Sequence, residues 1–219
     1  MTGKLITFEG PEGGGKSTQT ATLAQKLRLE RGLEVLVSRE PGGTPTGEII
    51  RNLLQHNLSG EALASSAEVL LFCASRAQLC ANIIRPALER GVWVILDRFT
   101  DSTLAYQGYG RGFDIDALRR INTFATNGLV PDLTLLIDIP AAEGLARASS
   151  RAAGAKDTIE REPLAFHERL RAGYLAVAGF EPCRISVIDG TQTAENVSAE
   201  IWKTVSERFF NNENNLYFI

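Results

Sequence analysis

The segment GPEGGGKS at residues 10–17 matches in full the pattern G-x-x-x-x-G-K-[ST]. It follows an apolar run at Leu5–Glu9, which predicts a buried strand, and it leads into a helical pattern from about Lys16 to Arg31. Glycines let a backbone wrap closely around phosphate oxygens, and a helix N-terminus adds the positive end of its dipole. The segment therefore predicts a phosphate-binding loop between a strand and a helix. The alternative is a glycine-rich turn without a ligand.

ATP with Mg²⁺ is the ligand that this loop predicts. The Lys16 ammonium should reach the β- and γ-phosphates, and the Ser17 hydroxyl should coordinate Mg²⁺. Asp97 closes the next apolar run, Val92–Leu96, and is placed to hold the same ion directly or through water. An aspartate at a strand end can also simply form a turn. The residues expected to hold the nucleotide are Gly10, Pro11, Glu12, Gly13, Gly14, Gly15, Lys16, Ser17 and Thr18.

Strand and helix patterns alternate along the rest of the chain. Further strands are predicted at Glu34–Ser38, Leu133–Asp138 and Arg184–Asp189. Helices are predicted at about Thr46–Gln55, Glu61–Arg90, Ile115–Thr126, Ala141–Arg151, Glu160–Ala178 and Ala194–Arg208. This alternation predicts an α/β protein with the three-layer P-loop NTPase fold, in which a five-stranded parallel sheet has helices on both faces and a small lid. Ligands of such sheets bind at the carboxyl ends of the strands.

The length of 219 residues suits one domain, and we expect it to span residues 1–208. Residues of about 147–160 include small and polar side chains and predict the lid. The asparagine-rich stretch 209–219 predicts a frayed tail.

Composition and charge exclude several classes of protein. The net charge of −3 gives no basic excess of the kind that marks a nucleic-acid binder. No segment is expected to reach the apolar length of a membrane span, and no signal peptide is expected before the first strand. The three cysteines are an odd count without metal-ligand spacing, which is typical of a reducing compartment. The sequence therefore predicts a cytoplasmic protein.

P-loops also serve GTPases and mechanical ATPases, so other residues must separate these classes. No N-K-x-D motif for reading guanine is present, and the chain is short for a motor. Arginines occur on segments that begin or end near the carboxyl edge of the predicted sheet: Arg51, Arg76, Arg98, Arg147 and Arg151. Arginines at the transferring group stabilise charge in phosphoryl transfer, although any one of them could instead lie on a solvated face. The pattern favours a small kinase.

The motifs of the chain resemble those of bacterial thymidylate kinases along almost its whole length. They are TFEGPEGGGKST (7–18), SREPGGTPTGEIIR (38–51), LLFCASRAQ (70–78), ILDRFTDSTLAYQGYGRG (95–112) and PDLTLLIDIP (131–140), in the order and spacing of that family. The resemblance implies transfer of the ATP γ-phosphoryl group to dTMP with Mg²⁺. It also implies a homodimer that packs together the long helices around Glu61–Arg90.

The resemblance further implies a role for individual residues of the acceptor site. Phe72 would stack on the thymine ring, and Arg76 would donate to the base O4. Ser102 and Gln107 would lie along the base edge, and Tyr106 would pack against the deoxyribose.

Charged residues carry the remaining roles that the resemblance implies. Glu12 and Glu40 would lie near the sugar 3′-hydroxyl or the Mg²⁺ shell. Arg51 and Arg98 would hold the acceptor phosphate, and Asp97 would support the metal. Family members without an arginine in the P-loop place catalytic arginines in the lid, which implies Arg147 and Arg151 here. The family's lid often reads Asp-Arg-Ile-Glu, whereas this chain has Asp157-Thr158-Ile159-Glu160.

Two alternatives remain open at this point. The chain could be a kinase for another nucleotide or for a deoxynucleoside, in which case Glu12 or Glu40 would be the candidate base for a neutral 5′-hydroxyl. It could also be a regulatory module that binds ATP without turnover.

Overall fold

The structure is a computed structural model that describes residues 3–56, 60–151 and 162–211, without the side chain of Arg151. Its centre is a five-stranded sheet in the order β2-β3-β1-β4-β5, in which every pairing is parallel. The strands are β1 (Leu5–Glu9), β2 (Val35–Arg39), β3 (Trp93–Asp97), β4 (Leu133–Asp138) and β5 (Ile185–Asp189). The five predicted strands are confirmed, and β2, β3 and β5 each start one residue later than predicted.

Helices connect the strands. They are α1 (Lys16–Arg31), α2 (Pro45–His56), α3 (Ser65–Leu79), α4 (Arg85–Glu89), α5 (Thr100–Thr103), α6 (Ile115–Thr126), α7 (Ala141–Arg151), α8 (Leu164–Phe180) and α9 (Ala194–Phe209). Two π-helical turns, Cys80–Ile84 and Leu104–Gly110, continue α3 and α5.

The sheet is covered on both faces, which confirms the three-layer architecture. On one face, Leu27 of α1 and Ile201 of α9 pack against sheet residues such as Phe8 and Ile95. On the other face, side chains of α3, α6 and α8 form a second buried cluster. Strands β1 and β4 lie in the middle of the sheet and are buried almost throughout, as continuous apolar runs require.

Glycine is required at two points where the phosphate-binding loop passes from β1 to α1. Gly15 has φ 84° at the residue before the helix, a left-handed conformation that side chains disfavour. A Cβ on Gly13 would clash with the backbone of Gly144 in α7. The loop therefore closes against α7 and turns directly into the α1 N-terminus.

Residues 100–110 are helical, which the sequence pattern did not predict. This stretch contains two threonines and two glycines, Gly108 and Gly110, which lower helix propensity. It is nevertheless buried beneath α8, where Phe166 packs close to Gly110. Tertiary packing therefore overrides local propensity here, and it places a helix immediately after the carboxyl end of β3.

One helical run, Ser65–Glu89, is long and apolar enough to cross a membrane by length and composition. The expectation that no segment reaches this apolar length was wrong, because most of the helix predicted at about Glu61–Arg90 is apolar enough to meet the criterion. Its midpoint carries Arg76, which is 1% exposed and paired with Glu40. Core helices of globular proteins satisfy the same criterion of length and composition.

The structure bears on two predicted segments, the C-terminal tail and the lid. Phe209 ends α9, and Phe210 stacks on Trp93 with ring centroids 5.7 Å apart, so the tail predicted at 209–219 starts too early. Residues 212–219 lie outside the described residues. Of the predicted lid at 147–160, the first five residues belong to α7 and the rest lie outside the described residues.

Candidate active site

A cavity of about 270 Å³ opens at the carboxyl ends of β1, β2 and β3. Fourteen residues that were predicted for the nucleotide, the metal or the acceptor line it: Glu12, Gly13, Gly15, Lys16, Ser17, Glu40, Arg51, Phe72, Arg76, Asp97, Arg98, Ser102, Tyr106 and Gln107. The fold therefore brings the phosphate-binding loop and the predicted acceptor residues to one cavity. Gly10, Pro11, Gly14, Thr18 and Arg147 do not line it.

Lys16 lies folded back on its own loop. Its Nζ donates to the carbonyl oxygens of Gly10 at 3.0 Å and Pro11 at 2.7 Å. Burial, and then the nearby charge of Arg98, lowers the pKa of Lys16 to about 8. A bound polyphosphate would favour the protonated ammonium, because opposite charges stabilise the charged form.

The two predicted metal ligands are adjacent. The Ser17 hydroxyl donates to Oδ2 of Asp97 at 2.6 Å, although 80 residues separate them in the sequence. Hydroxyl and carboxylate oxygens suit Mg²⁺, which usually keeps several waters and binds substrate phosphates as well as one or two protein ligands. Within the described residues there is no group of three or more His, Cys, Asp or Glu side chains that would hold a metal alone. The pair therefore fits Mg²⁺ bound together with a nucleotide.

Arg98 is the centre of a hydrogen-bond network between the phosphate-binding loop and α8. Both oxygens of Glu12 accept from its NH2, at 2.8 and 2.7 Å, and its NH1 donates to the Tyr174 hydroxyl at 3.0 Å. Its guanidinium lies 5.1 Å from the ring centroid of Tyr106, whose hydroxyl donates to Glu12. Arg98 has φ 71°, which is a costly conformation for an arginine and is typical of functional sites.

Glu12 is held in its ionised form by this network. Burial opposes ionisation, but the charges of Arg98 and then Lys16 lower the pKa of Glu12 to about 2. The carboxylate is thus an acceptor at neutral pH, which suits contact with a hydroxyl group of a ligand.

Arg76 lies at the opposite wall of the cavity, and each of its three guanidinium nitrogens donates to a protein acceptor. Its Nε and NH2 pair with Oε2 of Glu40, and its NH2 also donates to the carbonyl of Phe99. Its NH1 donates to Thr103 at 2.9 Å and Asn122 at 2.6 Å. Contact with a base O4 therefore requires Arg76 to share one of these donors.

Glu40 lines the cavity beside Arg76, and its predicted place near the sugar hydroxyl or the Mg²⁺ shell stays a prediction. Its carboxylate is turned to Arg76 and its backbone N–H donates to the carbonyl of Asp97 at 3.0 Å. Its second oxygen, Oε1, is buried and has no hydrogen-bond partner among the described residues. The Glu40 carboxylate therefore holds Arg76, and one oxygen remains for a ligand or a water.

Five further predicted residues complete the acceptor wall. Phe72 lines the cavity from α3, and Ser102, Tyr106 and Gln107 line it from the helical stretch after β3. Arg51 of α2 lines the cavity too, and its NH1 donates to the carbonyl of Pro41 at 2.9 Å. Aromatic rings, an amide and several arginines in one cavity suit a planar base that carries a phosphate.

Arg147, one of the two predicted lid arginines, does not line the cavity. Arg147 donates to the carbonyl of Gly190 at 2.8 Å and pairs with Glu143 on its own helix. It therefore faces the loop after β5. The side chain of Arg151 lies outside the described residues, so its predicted role stays a prediction.

Sequence reasoning missed Glu9, a fully buried carboxylate at the end of β1. Its Oε1 accepts from the backbone N–H of Phe99 at 2.8 Å, and its Oε2 accepts from the hydroxyls of Ser102 at 2.6 Å and Tyr174 at 3.1 Å. Burial, and then the negative charge of Asp101, raises the pKa of Glu9 to about 7. The sequence signal that could have identified Glu9 is its position as a charged residue at the end of an apolar strand, directly before the phosphate-binding loop.

Glu9→Gln should change how stability depends on pH. The folded pKa of Glu9, about 7, lies above the unfolded value of 4.5. The protonated carboxyl therefore adds its full contribution to the free energy of unfolding below pH 4.5, and this contribution is lost as the pH rises through 7. Glutamine cannot ionise, and the facing hydroxyls of Ser102 and Tyr174 can reorient toward its amide. We expect the difference in Tm, variant minus wild type, to increase by about 5 °C between pH 5 and pH 8.

Thermal unfolding followed by circular dichroism measures this difference. Glu30→Gln, at an exposed position of α1, is the control and should give no such trend. A Tm difference for Glu9→Gln that stays constant with pH would contradict the assignment of a buried, titrating carboxylate.

Comparison with known proteins gives consistent matches. A family model described as Thymidylate kinase matches residues 8–201. A thymidylate kinase of Thermomicrobium roseum is 55% identical over 204 residues, which are 93% of this chain and 94% of that protein. A thymidylate kinase of Geobacter sulfurreducens is 49% identical over 203 residues, which are 91% of this chain and 94% of that protein. The crystal structure of a thymidylate kinase from Ehrlichia chaffeensis superposes with a TM-score of 0.76 at 34% identity, and the match covers 94% of this chain and 100% of that one.

Proposed function

The chain belongs to the thymidylate kinase family, and from this premise we propose that its cavity binds ATP and dTMP together and produces ADP and dTDP. One observation carries the assignment of the site. The phosphate-binding loop, with Lys16 and Ser17, and the acceptor wall, with Phe72 and Gln107, line the same cavity. A donor nucleotide and an acceptor nucleotide can therefore meet there.

The reaction needs alignment and charge neutralisation more than a base. The attacking oxygen of the dTMP phosphate is already anionic, so no group has to remove its proton. We assign Lys16 to the β- and γ-phosphates of ATP, and Arg51 and Arg98 to the phosphate of dTMP. Both arginines line the cavity, and positive groups between two anionic reactants reduce their repulsion as they approach.

Mg²⁺ is part of the proposal. The Ser17 hydroxyl and the Asp97 carboxylate would hold it, because they are adjacent hard oxygen donors beside the phosphate-binding loop. When bound, the ion would neutralise charge on the β- and γ-phosphates. The same reasoning keeps Arg151 as a candidate for the transferring group, whereas the contacts of Arg147 with Glu143 and Gly190 favour a structural role.

The acceptor wall suits a thymine base with a 2′-deoxyribose. The ring of Phe72 would stack on the base, and the amide of Gln107 would meet its edge. The ring of Tyr106 is held by its hydroxyl on Glu12, which places it to pack against the sugar. The 5-methyl group contributes only about 1–3 kcal/mol, so we expect dUMP to be a poor substrate rather than no substrate.

The experiment that tests this proposal is ADP release with ATP and Mg²⁺ across a panel of acceptors. The panel contains dTMP, dUMP, dCMP, dGMP, dAMP and thymidine. We expect fast turnover with dTMP, slow turnover with dUMP, none with thymidine, and none with any acceptor after EDTA removes the metal. Preference for another acceptor would overturn the assignment of the acceptor wall, and no turnover with any acceptor would favour a binding module without catalysis.

We also propose a homodimer that forms through the outer face of α3. Leu70 is 58% exposed there, and Ala74, one helical turn further on, is exposed as well. An exposed leucine beside small side chains lets two helices approach closely.

Leu70→Glu should convert a dimer to a monomer, because it places a charge in the centre of the proposed interface. Light scattering should give wild-type protein a mass near twice the 23.8 kDa of one chain, and the variant a mass near one chain. Leu29→Glu is the matched control, since Leu29 is 76% exposed on α1 and should not affect association. A monomeric wild type, or a dimeric Leu70→Glu variant, would exclude this interface.

A cytoplasmic location is proposed on the basis of the cysteines. Cys73, Cys80 and Cys183 are all free thiols, and Cys183 is exposed. An exposed thiol persists more readily in a reducing compartment.

A further inference from the structure

Gln107 lies on the cavity wall with one end of its amide already bound. Its Nε2 donates to Oε1 of Glu68 at 3.0 Å, and the residue is 2% exposed. Among the described residues, its Oε1 takes part in no hydrogen bond. A carboxylate accepts hydrogen bonds and cannot donate them, so the amide cannot turn over without losing its bond to Glu68. The carbonyl oxygen of Gln107 is therefore the end that remains for a ligand.

Arg111 holds Glu68 in place. Its Nε donates to Oε1 of Glu68 at 3.0 Å and its NH2 donates to Oε2 at 3.2 Å, so the guanidinium engages both carboxylate oxygens. Its NH1 donates to Glu162 at 3.1 Å, and its guanidinium lies 5.6 Å from the ring centroid of Phe166. Three anchors on one planar guanidinium restrict its movement. The cationic donors also require two acceptor oxygens from residue 68, which only a carboxylate provides.

We propose that Glu68, held by Arg111, is a positioning residue that sets the amide orientation of Gln107 and so makes the site select a pyrimidine with an N–H donor at ring position 3. The inference rests on the proposed function, because it assumes that a nucleotide base occupies the wall that Gln107 lines. Neither Glu68 nor Arg111 lines the cavity, so both act through Gln107.

The preference follows from the hydrogen-bonding group that each pyrimidine base carries at ring position 3. Thymine and uracil carry N–H at position 3, which the carbonyl oxygen of Gln107 can accept. Cytosine carries a lone pair at that position, so two acceptors would face each other and both would stay unpaired. Sites that hydrogen-bond a substrate group reject analogues that lack it, since a buried polar group is then left without a partner. A Gln107 amide in the opposite orientation would favour cytosine instead.

Glu68→Gln tests the inference, because it keeps the shape of the side chain and removes the second acceptor oxygen. Arg111 and Gln107 then compete for one carbonyl oxygen, and the Gln107 amide can turn over. We expect the ratio of kcat/KM for dTMP to kcat/KM for dCMP to fall about tenfold, while the KM for ATP stays unchanged. If dCMP turns over too slowly to measure, the inhibition constant of dCMP in the dTMP reaction reports how well the site accepts cytosine.

The exchanged pair Glu68→Gln with Gln107→Glu provides a rescue. A carboxylate at position 107 presents an acceptor oxygen in either orientation, so the double variant should recover most of the preference for dTMP. If Glu68 served only the packing of the fold, the double variant would not recover the dTMP/dCMP ratio. Asp116→Asn, which removes a carboxylate paired with Arg119 on the exposed surface of α6, is the control and should leave the ratio unchanged.

The possible results separate this inference from the proposed function. No preference for dTMP in the wild type would overturn the proposed function, and with it the premise of the inference. A wild type that prefers dTMP, together with a folded Glu68→Gln variant that keeps the full dTMP/dCMP ratio, would overturn the inference alone. Loss of the ratio in Glu68→Gln without recovery in the double variant would also overturn it. Tm measurements on each variant establish that it is folded.

Discussion

Lys16→Ala should reduce phosphoryl transfer from ATP to dTMP by at least about 10³-fold while the protein stays folded. The Lys16 ammonium now donates to the carbonyls of Gly10 and Pro11, inside the loop that would hold the phosphates. Negative charge builds up between the β- and γ-phosphates as the bond to the transferred group breaks. Removing a fixed positive charge at that point raises the barrier, because nothing else in the loop carries a formal positive charge.

The fold should tolerate this change. The two carbonyls lose one shared donor, which costs about 1 kcal/mol for a typical hydrogen bond, and water can reach the cavity. Burial of a lysine also costs free energy, as the lowered pKa of Lys16 indicates, and alanine removes that cost. Tm should therefore change by only a few degrees.

Transfer is measured as dTDP formation under saturating ATP and Mg²⁺, with Tm measured on the same preparation. Lys203→Ala is the matched control, because its side chain is 76% exposed on α9, and it should keep full activity. Near-normal turnover by a folded Lys16→Ala variant would remove the phosphate-binding loop from the mechanism.

Local sequence patterns predicted the strand, the phosphate-binding loop and the helix of this site, because each depends on residues that are close in the sequence. The apolar run of β1, the glycines of the loop and the first residue of α1 follow one another without interruption, and the structure has β1 at Leu5–Glu9 and α1 at Lys16–Arg31 as predicted. Parallel strands bring their carboxyl ends to one edge, so the adjacency of Ser17 and Asp97 follows from the order of the elements.

The residues that sequence reasoning missed depend on contacts between distant segments. Glu9 resembles any charged strand end until Ser102 and Tyr174, from two other elements, are placed on its second oxygen. The pairing of Arg76 with Glu40 joins α3 to the loop after β2, and no local pattern indicates it. Arg147 contacts Glu143 and Gly190 in the structure, and its predicted role in the lid stays a prediction.

Arg98→Gln should lower kcat about 10²–10³-fold and should also destabilise the fold. The two effects have different physical origins. The loss of activity follows from removing a positive charge that lines the cavity where the phosphate of dTMP would lie. The loss of stability follows from Glu12, whose carboxylate would remain at a largely buried position without its partner.

The loss of stability in Arg98→Gln should depend on pH. Breaking the pair removes the main interaction that lowers the pKa of Glu12 against burial. We expect a loss of about 2 kcal/mol at pH 7, less than for a fully buried pair because the two side chains keep 16% and 21% exposure. In the wild type this contribution is present above pH 4.5 and is lost as the pH falls toward the folded pKa of about 2, so the gap between wild type and variant should narrow in acid.

The double variant Glu12→Gln with Arg98→Gln separates the two effects. Removing both charges leaves no unpaired ion, so stability should return most of the way to that of the wild type, as replacement of whole ion pairs often allows. Activity should stay low, because the positive charge is still missing from the cavity. Urea unfolding and single-turnover transfer, measured on both variants, give the comparison. If the double variant recovers activity together with stability, Arg98 acts by supporting the loop and not by binding the acceptor phosphate. If it recovers stability alone, instability does not explain the loss of activity in Arg98→Gln, and the charged groups in the cavity are what the reaction needs.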